Sequence, residues 1–251
     1  MRMPIFPSGR WVRPLLVFLL LTPPLAYPQD VQSLIDQTTA AHGGGALASV
    51  GSCSATILWT DYRLSPSLPL PAVIKSYGKA TRLEYTGSQG PVAQVRNGAW
   101  LWEVRGGQTQ EFTGQPPIFQ NGYFNPSLGI VRSLSAQEFA YHGAATLRGR
   151  SVHVLRKVYW TDPTGSGQHR GNQEFIYVFI DTATHLISQV DYTYGSDYNR
   201  LSLRFDNYTS ASGVAVPQMV SHWLNNQIVW QIQVQSVSFN PGLSPRDFVR
   251  P

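Results

Sequence analysis

A single cysteine in 251 residues, Cys53, excludes an internal disulfide, so the fold must stand on its hydrophobic core. There is no C-x-x-C pair and no H-E-x-x-H, and the six histidines (42, 142, 153, 169, 185, 222) are scattered singly. That distribution carries no metal-ligand spacing. The stretch "DYTYGSD" lacks the D-x-D-x-D-G order of a calcium loop. A G-x-S-x-G nucleophile elbow is also missing, since "TGSQG" and "TGSGQ" set serine beside glycine at the wrong spacing. Charged residues are sparse at 13 %, with no run of one sign, no heptad and no repeat of 20–50 residues. No catalytic residue, metal site or cofactor is expected.

The first 29 residues read as a signal peptide. Arg2, Arg10 and Arg13 form a basic start, "LLVFLLL" (15–21) is a short apolar run, and Ala26 lies where the chain turns small and proline-broken. The run falls short of the roughly 20 residues that span a bilayer. A periplasmic or secreted protein is expected, with residues 30–251 as one domain. Three of the 19 basic residues and none of the 14 acidic ones fall in that leader, leaving 16 against 14. A balance so close to neutral gives no electrostatic case for nucleic acid.

What the chain has in quantity is aromatic surface, 12 % of its residues. The mature portion opens with a helix. Asp30 is a suitable N-cap, and Val31, Leu34, Ile35, Thr38 and Ala41 fall on one face. His42-Gly43-Gly44-Gly45 follows. In some esterases such a turn forms an oxyanion hole, but there it follows a strand and here it follows a helix. The glycines read as a helix stop and as a hinge between a lid-like helix and the first strand.

From Cys53 the apolar period changes from 3.6 to 2, and strands follow in succession to Phe239. The clearest hairpin is "VAQVRNGAWLWEV", with Asn97-Gly98 as a type I′ turn. Beyond it Trp100, Trp102 and Val104 share one face while Glu103 and Arg105 share the other. Glu103 and Glu111 read as solvated charges on an outer face. Residues 114–137 interrupt the series as an aromatic flap, with a short helix expected near Pro126–Leu134. About ten or eleven antiparallel strands joined by short turns give a mainly β (α+β) domain whose sheet curls into a partial or closed barrel. "EFIYVFID" is apolar on both faces, which leaves room for an unfilled apolar concavity.

Several stretches together resemble the LolA/LolB-like superfamily of periplasmic outer-membrane lipoprotein carrier and sorting proteins. They are "AAHGGGALASVGS" before the first strand, "RNGAWLWEV", "GRSVHVL" with "VFIDTATHLISQVDY", "LRFDNYTSASGVAVPQMV" and the ending "FNPGLSPRDFVRP". The resemblance implies a strongly curved, half-open antiparallel barrel with helices on its concave side. It also implies a non-enzymatic binding or carrier protein that holds a lipid or the acyl chain of a lipoprotein. Inward-facing candidates for that role are Trp59, Trp100, Trp102, Phe124, Phe179, Leu203, Phe205, Trp230 and Ile232, with Gly43, Gly44 and Gly45 as the hinge. The expected partner is a lipid or lipidated protein taken up by a monomer. The rival reading is a sensor or interaction module on the same fold, with an envelope protein as partner and no lipid cargo.

Overall fold

The computed structural model describes residues 30–63, 66–88, 90–97, 100–112, 126–160, 173–194 and 199–250. Helix α1 spans Val31–Ala41, and Asp30 caps it by accepting from the Gln32 N–H at 3.1 Å. A one-turn helix, α2 (Gly45–Ala48), leads into β1 (Ser52–Asp61). Strands β2 (Leu70–Tyr77), β3 (Ala80–Gly87), β4 (Gly90–Asn97), β5 (Trp100–Arg105) and β6 (Gln108–Phe112) follow as a meander. Helix α3 (Pro126–Ser133) falls where the sequence predicts it. A second meander runs through β7 (Ala140–Leu147), β8 (Arg150–Trp160), β9 (Gln173–Asp181), β10 (Ile187–Tyr194), β11 (Asn199–Ala211), β12 (Val214–Leu224) and β13 (Gln227–Phe239).

All the strands form one antiparallel sheet ordered β6-β5-β4-β3-β2-β1-β13-β12-β11-β10-β9-β8-β7. The two meanders are joined where β1 pairs with β13, and the sheet stays open between β6 and β7. Thirteen strands exceed the ten or eleven expected; residues 90–112 make three of them, the expected hairpin and β6 beside it. The open form settles the choice left by the sequence between a partial and a closed barrel.

Directly paired residues of an antiparallel sheet share a face, so register fixes which side each side chain takes. One face carries Ala55, Ile57 and Trp59 of β1, Ile74 of β2, Leu83 of β3, Ile232 and Val234 of β13, and Leu203 and Phe205 of β11. These side chains form a single buried cluster with Leu34 and Ile35 of α1, Leu47 of α2, and Leu128, Ile130 and Val131 of α3. The helices therefore sit on the inner face of the sheet, and each fully buried aliphatic side chain there contributes about 1.5–3 kcal/mol. Arg132 of α3 locks the helices together by donating to the carbonyls of Leu47 and Val50 at the end of α2.

Among the described residues, the C-terminal tail covers part of the outer face. A C-terminal 3₁₀ turn, Pro245–Phe248, seats Phe248 in a second cluster with Ala80, Val95, Trp102 and Leu243. Arg82 Nη1 donates to the Asp247 carbonyl at 3.3 Å, tying that turn to β3.

The glycine stretch is a weld between α1 and the β11–β12 turn. His42 is fully buried; its Nδ1 lies 2.8 Å from the Thr38 carbonyl, and its ring meets Tyr208 edge-on at 5.6 Å. The Ala215 N–H donates to the His42 carbonyl at 3.3 Å. Gly43 has φ +116°, and a Cβ on it would stand 2.5 Å from the Gly213 carbonyl oxygen. Gly44 also has positive φ, whereas a Cβ on Gly45 would meet nothing within 4 Å. Gly43→Ala is accordingly expected to cost at least about 2 kcal/mol in urea unfolding. Gly45→Ala, at the start of α2, changes stability by less than about 1 kcal/mol and in the stabilising direction.

Candidate functional site

The inner face is not uniformly filled. Part of it forms one buried cluster with the helices, whereas its β2–β5 part also opens into a cavity of about 650 Å³. The cavity is lined by the β1–β2 connection (Asp61, Arg63, Pro66, Leu68), Leu70 at the start of β2, Tyr85 and Val92 of β3 and β4, and Gln94, Glu103 and Arg105. Its volume lies within the range of small-molecule sites, about 300–1,000 Å³.

Behind Leu70, in register, Trp59 stacks on Trp230 with centroids 5.1 Å apart, and Trp230 in turn meets the His222 ring at 5.1 Å. The ladder Asp61–Trp230–His222–Leu203–Val190–Val178 runs across five strand pairings, carrying one row of inner side chains from the cavity into the closed core.

The rim of the cavity is charged but balanced. Arg63 pairs with Asp61 at 2.6 Å, Arg105 with Glu103 at 3.1 Å, and Gln94 Nε2 donates to Glu103 at 2.7 Å. Burial works against the Asp61 carboxylate, yet the hydrogen bonds and charge of Arg63 prevail and hold its pKa below the usual range. Tyr85 is pushed up, first by burial and then by the Glu103 carboxylate. Two acid–guanidinium pairs around a phenol make a polar collar with no excess charge.

The sequence-based candidates divide by face. Trp59, Leu203, Phe205, Trp230 and Ile232 share the inner face, and all are buried. All five lie in the core cluster that also holds α1 and α3, with Trp59 and Trp230 next to the cavity residues Leu70 and Asp61 in register. Trp102 pairs with Val95 and packs with Phe248, so it and Trp100 belong to the outer face, where Trp100 is 50 % exposed. Phe179 pairs with Val154 and Gln189, which places it outside as well. Phe124 lies outside the described residues. Gly43, Gly44 and Gly45 are the α1–α2 link, with Gly43 held against Gly213.

The converse holds for the charges. Glu103, expected on an outer face, pairs with Gln94 in the same row as Leu83 and Ile74, and so points inward. Glu111 does lie outside, accepting from Trp102 Nε1 at 3.0 Å. Leu70, Tyr85, Gln94 and Arg105 also line the cavity, and none of them is marked by the sequence pattern as a ligand contact. The usable signal was the strict alternation of "WLWEVR", which grouped Glu103 with Arg105 correctly but could not say which face was inner.

A second, larger groove of about 890 Å³ lies on the opposite side of the same strands. Thr56, Val73, Glu84, Ala93 and Val104 form one paired row on that outer face, and Leu58 and Pro71 add apolar lining. Glu84 there joins Lys75 at 2.8 Å and Arg82 at 2.7 Å.

Cys53 is buried beside Ser76, and burial drives its thiol up to about 11, which makes it a poor nucleophile. Among the described residues no three or more His, Cys, Asp or Glu come together as a metal set. No helix of the described residues is long and apolar enough to cross a membrane.

His42 and His222 are both held below the ordinary histidine range. Burial is the chief cause in each, and for His222 the nearby Arg63 charge adds to it, bringing that ring to about 4. Above about pH 6.5 both rings are neutral folded or unfolded, so their contribution is complete there. As pH falls from about 6.5 to 4 the unfolded chain binds protons that the folded chain refuses, and stability declines. For His222 alone the loss approaches about 3 kcal/mol, and His222→Phe should flatten that slope in urea melts taken between pH 7 and 4.

No protein-family model matches the sequence, and no curated protein matches it. Solved structures do match in fold. A domain from Vibrio parahaemolyticus described as an outer membrane lipoprotein-sorting protein is 17 % identical, with TM-score 0.55, covering 86 % of this chain and 94 % of its own. A DUF1329 family protein from Desulfovibrio piger is 13 % identical, with TM-score 0.56, covering 88 % and 98 %. A LolA superfamily protein from Nitrosomonas europaea is 12 % identical, with TM-score 0.54, covering 88 % and 98 %. With its open antiparallel sheet and inner helices, this chain has the LolA/LolB-like fold.

Proposed function

We propose that the protein is a non-enzymatic carrier that holds the acyl chain of a lipid or of a lipidated polypeptide, exported to the periplasm behind residues 1–29. One observation carries this reading: a cavity of about 650 Å³ opens on the inner face and is continuous in register with the Trp59–Trp230 stack. The acyl chain enters between Leu70, Tyr85 and Val92, and each methylene taken from water contributes about 0.8 kcal/mol. The collar of Asp61–Arg63 and Glu103–Arg105 faces the polar end of the ligand. Of the sequence-based candidates, Trp59 and Trp230 are the ones assigned to ligand contact; Leu203, Phe205 and Ile232 serve as the packed wall behind them.

The larger outer groove favours a second reading, a protein-interaction module whose partner inserts an apolar segment beside Leu58, Val73 and Val104. Titration of delipidated protein with a fluorescent fatty acid or lipopeptide separates the two. The carrier reading expects saturable binding that Leu70→Asp weakens about tenfold or more, while Val73→Asp, Trp100→Ala and Trp102→Ala leave it unchanged. No saturable binding, or loss on Val73→Asp with none on Leu70→Asp, would overturn it.

A further inference from the structure

The outer face of the second meander carries an unusual set of side chains for a solvated sheet surface. Register places Arg156, Tyr177, Asp191, Ser202 and Trp223 in one row across β8–β12. The next row runs Val154, Phe179, Gln189, Arg204 and Ser221. Both rows lie opposite the inner ladder that ends on Val190 and Val178. Phe175, Tyr177 and Phe179 alternate along one strand of this face, and all are half-buried rather than covered.

Among the described residues this face carries Arg156, Arg200 and Arg204 with Asp181, Asp191 and Asp206, and Arg148 reaches over it from the β7–β8 turn. Arg200 is paired with Asp191, and Arg148 holds Asp206 at 2.8 Å. Arg204 and Arg156 have no carboxylate partner among the described residues. Each lies over a ring instead: the Arg204 carbon Cζ is 3.9 Å from the Trp223 centroid, and that of Arg156 is 6.0 Å from the Phe175 centroid. A guanidinium on an aromatic face can still offer its edge to an anion; in Arg204 the Nε is buried without a partner, so its Nη groups are the ones that would serve. By strand geometry the Cα atoms of Arg156 and Arg204 stand about 15 Å apart, three strands across and two residues along. With each fork held on its own ring, one phosphate does not bridge them, whereas an array of phosphates serves both. Aromatic side chains interleaved with arginines are also the residue types that settle at the headgroup level of a bilayer.

We propose that the outer face of β8–β12, centred on the ring-backed guanidiniums of Arg156 and Arg204, is a docking surface for the anionic phospholipid headgroups of a bilayer. It lies on the opposite side of the sheet from the ligand cavity, so a docked protein keeps the cavity away from the headgroup plane. The surface stands independently of the cargo: a protein that binds vesicles but no acyl ligand retains this proposal and loses the previous one.

The test is partition of the full chain onto phosphatidylcholine vesicles with and without phosphatidylglycerol. Residues 1–29 are common to all variants, so only ratios to the parent protein are read. Phosphatidylglycerol should raise the partition coefficient of the parent protein, with the gain declining as salt rises. Arg156→Gln and Arg204→Gln should each lower the partition onto phosphatidylglycerol vesicles about fivefold, and together about 25-fold. Arg156→Lys with Arg204→Lys should retain most of the binding, which guards against loss through misfolding. Arg246→Gln, on the C-terminal turn, removes the same charge elsewhere and should leave partition within about twofold. Equal binding to both vesicle types, or an equal loss in Arg246→Gln, would overturn the proposal. So would displacement by inorganic phosphate beyond that by chloride at matched ionic strength, which would assign the site to a free anion.

Discussion

The pairing of β1 with β13 is the constraint on which the rest of the structure depends. It joins two meanders, β1–β6 and β7–β13, into one sheet and transmits a single side-chain parity from β8 to β5. Once Ala55, Ile57 and Trp59 face inward, so must Val237, Val234 and Ile232, and then Val220, Phe205 and Leu203. A one-residue slip at this seam would turn half the apolar core outward. Asn240 reinforces the seam, since its side chain accepts from the Gly51 N–H at 2.8 Å and donates to the Ser49 carbonyl at 3.1 Å. The ends of the fold are thereby fastened to each other while the sheet itself stays open.

An open sheet of this width presents more inner surface than its helices can cover. Helices α1, α2 and α3 bury Leu34, Leu47 and Val131 in one cluster with Ile57 and Ile74 of the first meander and Val190, Leu203 and Phe205 of the second. The first meander's inner face is left with Leu70, Tyr85 and Val92 beside a collar of charges. The same separation gives a dry wall and a wet rim to one cavity, an arrangement suited to an amphiphile. The C-terminal turn acts on the other side, where Phe248 and Leu243 pack against Trp102 of β5.

Much of this was legible in the residues. The helix stop at Gly43, the N-cap at Asp30, the short helix of 126–133 and the alternation of nearly every strand follow local rules of period and capping. What local rules do not contain is the sign of a face. In "WLWEVR" the alternation separates tryptophan from Glu103 and Arg105, and apolar residues are ordinarily assigned inward. Here the tail covers the tryptophan face with Phe248, and the charged face turns toward the concavity, a reversal decided by a contact about 150 residues away in sequence. "EFIYVFID" was ambiguous for a related reason: both its faces are apolar, Val178 in the core and Phe179 outside. His42 caps the C-terminus of α1, which local rules can supply, but its full burial against Tyr208 depends on the β11–β12 turn.

The central claim is that an acyl ligand occupies the inner cavity and not the larger groove behind it. Photolabelling with a fatty acid that carries a diazirine on its chain, followed by peptide mass spectrometry, reads this directly. The account predicts adducts on Leu70, Tyr85 and Val92, with Trp59 or Trp230 labelled by the chain's far end. Adducts confined to Leu58, Val73 and Val104, or none above background, would contradict it.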